Sequence, residues 1–156
     1  TPDNTSTWYT TNDATFEITG IQLEVSDIAT TFEHRSFTQE LALCQRYFYQ
    51  HLLGNSKAMG MFVGFSSTGM YGVFNLPVEM RANPTLVQNT GSTYYTAFYQ
   101  AGATDTFNGF NSIVWNGKRT IVVDSQTAQG LSTGSKDAMW VVSNNASASV
   151  AFNSEL

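Results

Sequence analysis

Residues 112–124 read SIVWNGKRTIVVD, two runs rich in β-branched residues on either side of Asn116-Gly117. An Asn-Gly pair between such runs favours a type I′ β-hairpin, because both residues tolerate the positive φ angles that this turn requires. Short apolar runs separated by turn residues continue from Met61 to the end of the chain, which is typical of an all-β domain. The pattern predicts strands at residues 61–67, 70–76, 85–90, 93–99, 110–115, 118–124, 136–142 and 147–153.

The composition is that of a β protein with a neutral, polar surface. Of the 156 residues, 42% are hydrophobic, 13% are aromatic and only 12% are charged. That charged share is about half of the usual value. The net charge of −5 disfavours nucleic acid as a partner, since domains that bind it are generally basic. No apolar run approaches the roughly 20 residues of a membrane span, so we expect no membrane insertion.

One amphipathic helix is predicted before the β region, over residues 36–52. Ser36 and Gln39 have the spacing of a capping box, and Gly54 is a candidate C-cap. Apolar residues recur at helical spacing at Phe37, Leu41, Cys44, Phe48 and Leu52. Such a face must pack on something, either the β domain or the same helix of sister subunits. Cys44 lies on this face, and we expect it to be a buried structural thiol.

An N-terminal strand region is predicted ahead of the helix. Phe16 and Ile18 share one face of a strand, and the alternation shifts after Gly20 to Ile21, Leu23 and Val25. Such a shift indicates a bulge at the glycine or two short strands with a kink. We therefore expect an N-terminal strand segment over 1–35 that ends an upstream β region, since the chain begins at Thr1 rather than Met. A linking helix over 36–54 and a C-terminal β-sandwich of jelly-roll type over 55–156 complete the prediction.

Neither catalysis nor a metal site is indicated. There is no Gly-x-Ser-x-Gly motif. Cys44 has no evident general base, because His51 is seven residues further along the chain. Metal-binding spacings such as His-x-x-x-His and Cys-x-x-Cys are absent, so we expect no catalytic residue, no metal and no cofactor. Glycoside hydrolysis needs two neighbouring carboxylates, and no recognisable pair occurs among Glu79, Asp105, Asp124, Asp137 and Glu155.

The aromatic and amide side chains of the β region are the remaining candidates for function. Aromatic faces stack on sugar rings, and amides bind sugar hydroxyls. The candidate ligand-binding residues are Tyr94, Tyr95, Tyr99, Phe107, Asn108, Phe110, Asn111 and Trp115. The alternative for each aromatic residue is a place in the core or in a subunit interface. Trp140, followed by Val141 and Val142, is interpreted as core.

Residues 16–50, FEITGIQLEVSDIATTFEHRSFTQELALCQRYFYQ, closely resemble a segment common in tail-fibre and other structural proteins of tailed bacteriophages, particularly phages of cyanobacteria and marine bacteria. In that family a run of the form GvQLE-G…ATpFE-Rsyg-EL-lCqRYy follows a β-sandwich and precedes a small C-terminal β domain. Residues 76–85 resemble its lPv-MRa-PT element. The final Phe-Asn-Ser-Glu-Leu resembles the C-terminal ends of family members.

The resemblance implies a homotrimer in the phage tail, outside the host cell, attached to other tail proteins upstream. The candidate residues of the trimer interface are Phe37, Leu41, Cys44 and Phe48. The implied function is that of a tail-fibre tip, a receptor-binding domain that adheres to host surface polysaccharide or lipopolysaccharide without catalysis. Two alternatives remain open. One is a purely structural trimerisation or capping domain of the virion, and the other is a polysaccharide depolymerase.

Overall fold

The computed structural model describes residues 15, 17–99, 102–126, 130 and 138–155. The chain divides between Ser36 and Phe37 into two units. Phe16, a predicted strand position, and residues 127–129 and 131–137 lie outside the described residues.

The second unit confirms the predicted fold class, a mainly-β sandwich of two antiparallel sheets with one helix. Its elements are α1 (Phe37–Gln45), β1 (Phe48–Leu53), β2 (Ala58–Ser66), β3 (Gly69–Asn75), β4 (Thr85–Asn89), β5 (Tyr95–Phe98), β6 (Thr104–Phe107), β7 (Ser112–Asn116), β8 (Thr120–Ser125), β9 (Ala138–Ser143) and β10 (Ser149–Asn153). One sheet has the strand order β1-β10-β4, and the other has the order β6-β5-β9-β2-β3-β8-β7.

Each of the eight strands predicted from Met61 onward is present, and two further strands, β1 and β6, were not predicted. The predicted helix is too long. It begins at Phe37, directly after Ser36 as expected, but it ends at Gln45, and Phe48–Leu53 forms β1. The reason is tertiary, because β1 pairs along β10 at the other end of the chain. That ladder satisfies the backbone and overrides the helical spacing of Phe48 and Leu52.

In the described part of the N-terminal unit, residues 15 and 17–36, the predicted strand is not formed, although Gly20 adopts a positive φ of 69° where the kink was expected. Hydrogen bonds from side chains, rather than β-sheet pairing, hold this segment together. The Glu24 carboxylate accepts hydrogen bonds from the Thr30 amide and hydroxyl, both at 2.6 Å. The Gln22 side-chain oxygen accepts one from the Glu33 amide at 2.8 Å. The alternate residues Ile21, Leu23 and Val25 are exposed as a result.

The hairpin predicted at Asn116-Gly117 is confirmed, but the predicted type I′ turn is wrong. Asn116 still pairs with Ile121, residues 117–119 form the connection, and the Gly117 amide donates to Thr120 O at 3.1 Å. Neither Asn116 nor Gly117 has the positive φ of a type I′ turn. The Asn116 side chain donates to Pro84 O at 2.8 Å, and this tertiary contact holds Asn116 in the strand.

A chain of aromatic rings fills the space between the sheets. Neighbouring ring centroids are 5.3–5.8 Å apart, the range of favourable aromatic pairs. In order, the rings are Phe107, Tyr95, Phe110, Phe62, Phe74 and Phe152. A Cβ atom on Gly72, which pairs with Phe62 across β2 and β3, would overlap the Phe62 ring. The core therefore requires a glycine at this position.

The Tyr95 hydroxyl connects the two sheets. It lies 3.0 Å from both Asn89 O in β4 and Ser149 O in β10. A hydroxyl has only one proton, so the two carbonyls share it.

We expect Tyr95→Phe to lower the free energy of unfolding by about 1–2 kcal/mol, because it removes this hydrogen bond from a buried site. Chemical denaturation followed by fluorescence measures the change, and Tyr47→Phe at an exposed tyrosine is the control.

Tyr95 also gives the protein a specific alkaline sensitivity. Burial raises its pKa from 10.0 to about 12. Because the folded-state pKa lies above the unfolded one, this contribution to stability is complete below pH 10 and falls as the pH rises towards 12. The Tyr95→Phe variant should not show this loss of stability between pH 10 and pH 12. Identical pH profiles of stability for the natural chain and the Phe variant would contradict the assignment.

Candidate functional site

The outer face of the seven-stranded sheet is unusually apolar. On β2, Met59 and Phe62 are buried in the core, whereas Met61, Val63 and Phe65 are 53%, 53% and 41% exposed on the opposite side. A solvated sheet face normally carries polar residues at these alternate positions. Exposed apolar surface of this extent marks an interaction site more often than a passive one.

Three rings form an outer aromatic cluster on this face, namely Phe65, Tyr71 and Trp115. Phe65 and Tyr71 stack with centroids 4.0 Å apart and planes at 16°. The Trp115 ring reaches across β8 to lie 5.2 Å from Tyr71 at 59°. The Phe65–Tyr71 stack occupies one face of each ring, whereas Trp115 remains 58% exposed. The indole of Trp115 is therefore the aromatic surface of the cluster most available to a ligand.

A buried carboxylate organises the polar side chains beside this cluster. Asp124 pairs with Tyr71 in the sheet, yet it is only 2% exposed. It accepts hydrogen bonds from the Ser112 amide and hydroxyl, each at 3.0 Å. The side-chain amides of Asn111 and Gln126 also donate to it, at 3.3 and 2.6 Å. Asp124 thus holds two exposed amide side chains in place at the end of β8.

Three of the predicted ligand-binding residues are in the core. Tyr95, Phe107 and Phe110 are 0%, 1% and 2% exposed, which corrects their assignment to a surface site. The alternation of β5 and β6 turns Tyr95 and Phe107 towards the three-stranded sheet. Gln88 fixes Phe110 through bonds from its side chain to both the Phe110 amide and carbonyl.

Three more predicted residues have structural roles. Tyr94 and Tyr99 are half-buried and pack against the core. The Asn108 side chain accepts a bond from the Thr93 amide at 3.3 Å and so helps to shape the turn before β5. Of the predicted set, the structure brings only Asn111 and Trp115 to the outer face.

Sequence reasoning missed Phe65 and Tyr71, and it placed Trp140 in the core. Trp140 is in fact 59% exposed, whereas its neighbours Met139 and Val141 are buried. One signal was available, since β2 reads AMGMFVGFS and is apolar at both parities of the strand. A strand of this kind has an apolar outer face if it lies in a sandwich whose other sheet covers only one side.

The histidine and the cysteine near the helix show no catalytic arrangement. Cys44 is exposed rather than buried, because no residue of α1 is buried within a single chain. His51 Nε2 lies 2.9 Å from Met59 O, and its ring packs edge-on against Phe74 at 4.6 Å. Within the described ranges, no three His, Cys, Asp or Glu residues are placed to hold a metal ion. No helix in the described part of the chain has the length and apolar character to cross a membrane.

Comparisons with protein-family models, with curated proteins and with solved structures found no match for this chain. Three residues that are far apart in the sequence meet where α1 ends and β1 begins. Arg46 O accepts bonds from the Arg81 amide at 2.8 Å and the Ser154 hydroxyl at 2.7 Å. The Arg81 guanidinium lies 5.8 Å from the ring centre of Tyr47. Together these contacts fix the junction between α1 and β1 on the sandwich.

We expect Asp124→Asn to lower the free energy of unfolding by about 2 kcal/mol, because an amide N–H₂ would face donors that now bond to a carboxylate oxygen. Ser112→Ala, which removes only one hydroxyl donor, should cost about 1 kcal/mol. Urea denaturation of the two variants and the natural chain measures both effects. An Asp124→Asn variant as stable as the natural chain would show that Asp124 does not organise the polar side chains around it.

Proposed function

We propose that this chain is the receptor-binding tip of a phage tail fibre and that it adheres to host surface polysaccharide or lipopolysaccharide without catalysis. The observation that carries the adhesive function is the exposed indole of Trp115, within the outer aromatic cluster and on the same face as the amides held by Asp124. The phage context comes from the resemblance of residues 16–50. The proposal therefore includes a location in the virion, outside the host cell and downstream of other tail proteins.

The chemistry of this surface suits a sugar better than a charged ligand. A tryptophan face packs on the C–H side of a sugar ring, and the amides of Asn111 and Gln126 offer donors and acceptors to its hydroxyls. Each amide uses one N–H to bind Asp124, so its orientation is set before a ligand arrives. Pre-organisation of this kind lowers the entropy lost on binding.

The role of Asp124 supports binding rather than hydrolysis. A glycosidase needs one carboxyl group as an acid and another as a base or nucleophile, both open to the sugar. Asp124 is buried, and four hydrogen bonds from neighbouring side chains and backbone occupy its oxygens. A depolymerase acting at this site would need carboxylates that reach the glycan, which Asp124 does not.

Association of three copies is the second part of the proposal. The candidate interface residues Phe37, Leu41 and Phe48 are 80%, 42% and 42% exposed, and Cys44 is exposed as well. Phe48 belongs to β1 rather than to the helix, so the surface combines the helix with the strand that follows it. Contact between copies would remove this apolar area from water, which is the main driving force for association.

Trp115→Ala should reduce affinity for a soluble oligosaccharide from the host polysaccharide at least about tenfold, which corresponds to about 1.4 kcal/mol of lost stacking. Binding to intact candidate host cells, before and after periodate oxidation of their glycans, shows whether the receptor is a glycan. Calorimetry with a soluble oligosaccharide then gives the affinity of a single site. Trp140→Ala is a matched control for this single-site affinity, which does not depend on assembly, because Trp140 is 59% exposed on the same face but outside the cluster.

Loss of binding after periodate and in the Trp115 variant, with binding retained in the Trp140 variant, would support the adhesive function. Binding that survives periodate, or a Trp115 variant with natural affinity, would contradict it. A chain that assembles but ignores every host would favour the purely structural alternative. The extent of the apolar outer face is the observation that favours that alternative.

Leu41→Asp should separate the copies, because it places a charge in the middle of the proposed helix surface. Phe48→Asp should act in the same way from β1. Gln39→Asp is the control, since it adds a charge on the other side of α1, about 200° away around the helix. Size-exclusion chromatography with light scattering measures the mass. A Leu41→Asp variant that keeps the mass of the natural assembly would rule out this interface.

A further inference from the structure

A second surface on the outer sheet face lies beyond the aromatic cluster. We call it the apolar strip, and its members are 41–59% exposed. They are Met61, Val63, Val73, Phe98 and Trp140. Their positions on the neighbouring strands β5, β9, β2 and β3 make the strip continuous. None of these residues has a part in the proposed sugar site.

The sheet register shows how the strip is built. Phe98 of β5 lies opposite Trp140 of β9, and Trp140 lies opposite Met61 of β2. Such direct cross-strand neighbours have Cβ atoms about 5 Å apart, so their side chains form one surface. Val63 lies in the next row of β2, and Val73 extends the surface onto β3. The strip is therefore a flat patch rather than scattered single residues.

Charge is nearly absent from this face. Among the outward positions of the seven strands, Asp124 is the one Lys, Arg, Asp or Glu residue, and it is buried beside the aromatic cluster. A strongly charged partner would find nothing complementary on the strip. An identical apolar strip would be complementary, because two such sheet faces pack about 10 Å apart through interdigitated side chains.

The size of the strip agrees with an interface between copies. Its half-exposed side chains present about 400 Å² of apolar surface, at roughly 100 Å² for each ring and somewhat less for each aliphatic chain. About 65% of the area in the interface of a homodimer is apolar. The strip thus corresponds to about 600 Å² for each partner, the lower end of the range for stable interfaces.

We propose that the apolar strip seats a second copy of this chain. The inference deepens the assembly part of the proposed function, on which it rests. Contact between identical strips is two-fold, so it is separate from the association of three copies through the helix surface around Leu41. Trp115 lies on β7, two strands beyond the edge of the strip on β3, so sugar binding and assembly use different parts of the same face. Copies joined in this way would present several sugar sites together, which raises the overall avidity for a repetitive polysaccharide.

The test is the mass in solution of the natural chain and of charged variants, measured by light scattering at about 10–100 μM, where an interface of micromolar affinity is populated. Val63→Lys should halve the mass, because loss of a two-fold contact separates the two partners that it joins. Met61→Lys is a second variant with the same expected effect. Val87→Lys is the matched control, since Val87 is 43% exposed on β4 of the other sheet. Circular dichroism and thermal unfolding of each variant show that the fold is retained.

An assembled natural chain that separates with Val63→Lys or Met61→Lys but not with Val87→Lys supports the strip as an interface. A natural chain that is a single copy at every concentration overturns this inference and the assembly proposal together. If Leu41→Asp lowers the mass while the folded Val63→Lys and Met61→Lys variants keep the full mass of the natural assembly, the strip is overturned and the helix interface stands. Separation by Val87→Lys as well would show a general effect of charge and would also overturn the inference.

Discussion

The chain of buried aromatic rings between the two sheets is the constraint on which the rest of the structure depends. It runs from Phe107 through Tyr95 and Phe110 to Phe152, with neighbouring centroids 5.3–5.8 Å apart. Each such ring buries about 150–250 Å² of surface. The Tyr95 hydroxyl adds direction to this packing, because it bonds to carbonyl oxygens of β4 and β10 in the opposite sheet.

The inward rings also determine what faces outward. Side chains alternate along a strand, so burial of Met139 and Val141 turns Trp140 to the outside, and burial of Phe62 does the same to Met61 and Val63. In this chain the outward residues are apolar too. The sandwich therefore has a surface that its own second sheet does not cover. Both proposals, sugar binding at Trp115 and association through the apolar strip, follow from that excess.

The junction at Arg46 shows a second constraint, which acts over the whole length of the chain. The helix ends where Arg46 O accepts bonds from Arg81 and Ser154, and β1 then pairs with β10. Arg81 and Ser154, which are far from Arg46 in the sequence, thus meet at its carbonyl oxygen. The contact explains how a short helix without a buried residue keeps a defined position next to β1.

The sequence by itself determined the all-β class, the strands predicted from Met61 onward and the start of the helix directly after Ser36, because turn residues, alternation and capping are local signals. Only the tertiary structure decided that Phe48–Leu53 is a strand, since its pairing partner is about 100 residues away. It also decided which aromatic residues are inside. Tyr95 and Trp115 both lie in strands of the larger sheet, but Tyr95 bonds to the opposite sheet, whereas Trp115 lies beside Tyr71 on the outer face and is 58% exposed. Alternation shows that two faces differ, but which face is covered depends on how the sheets pack.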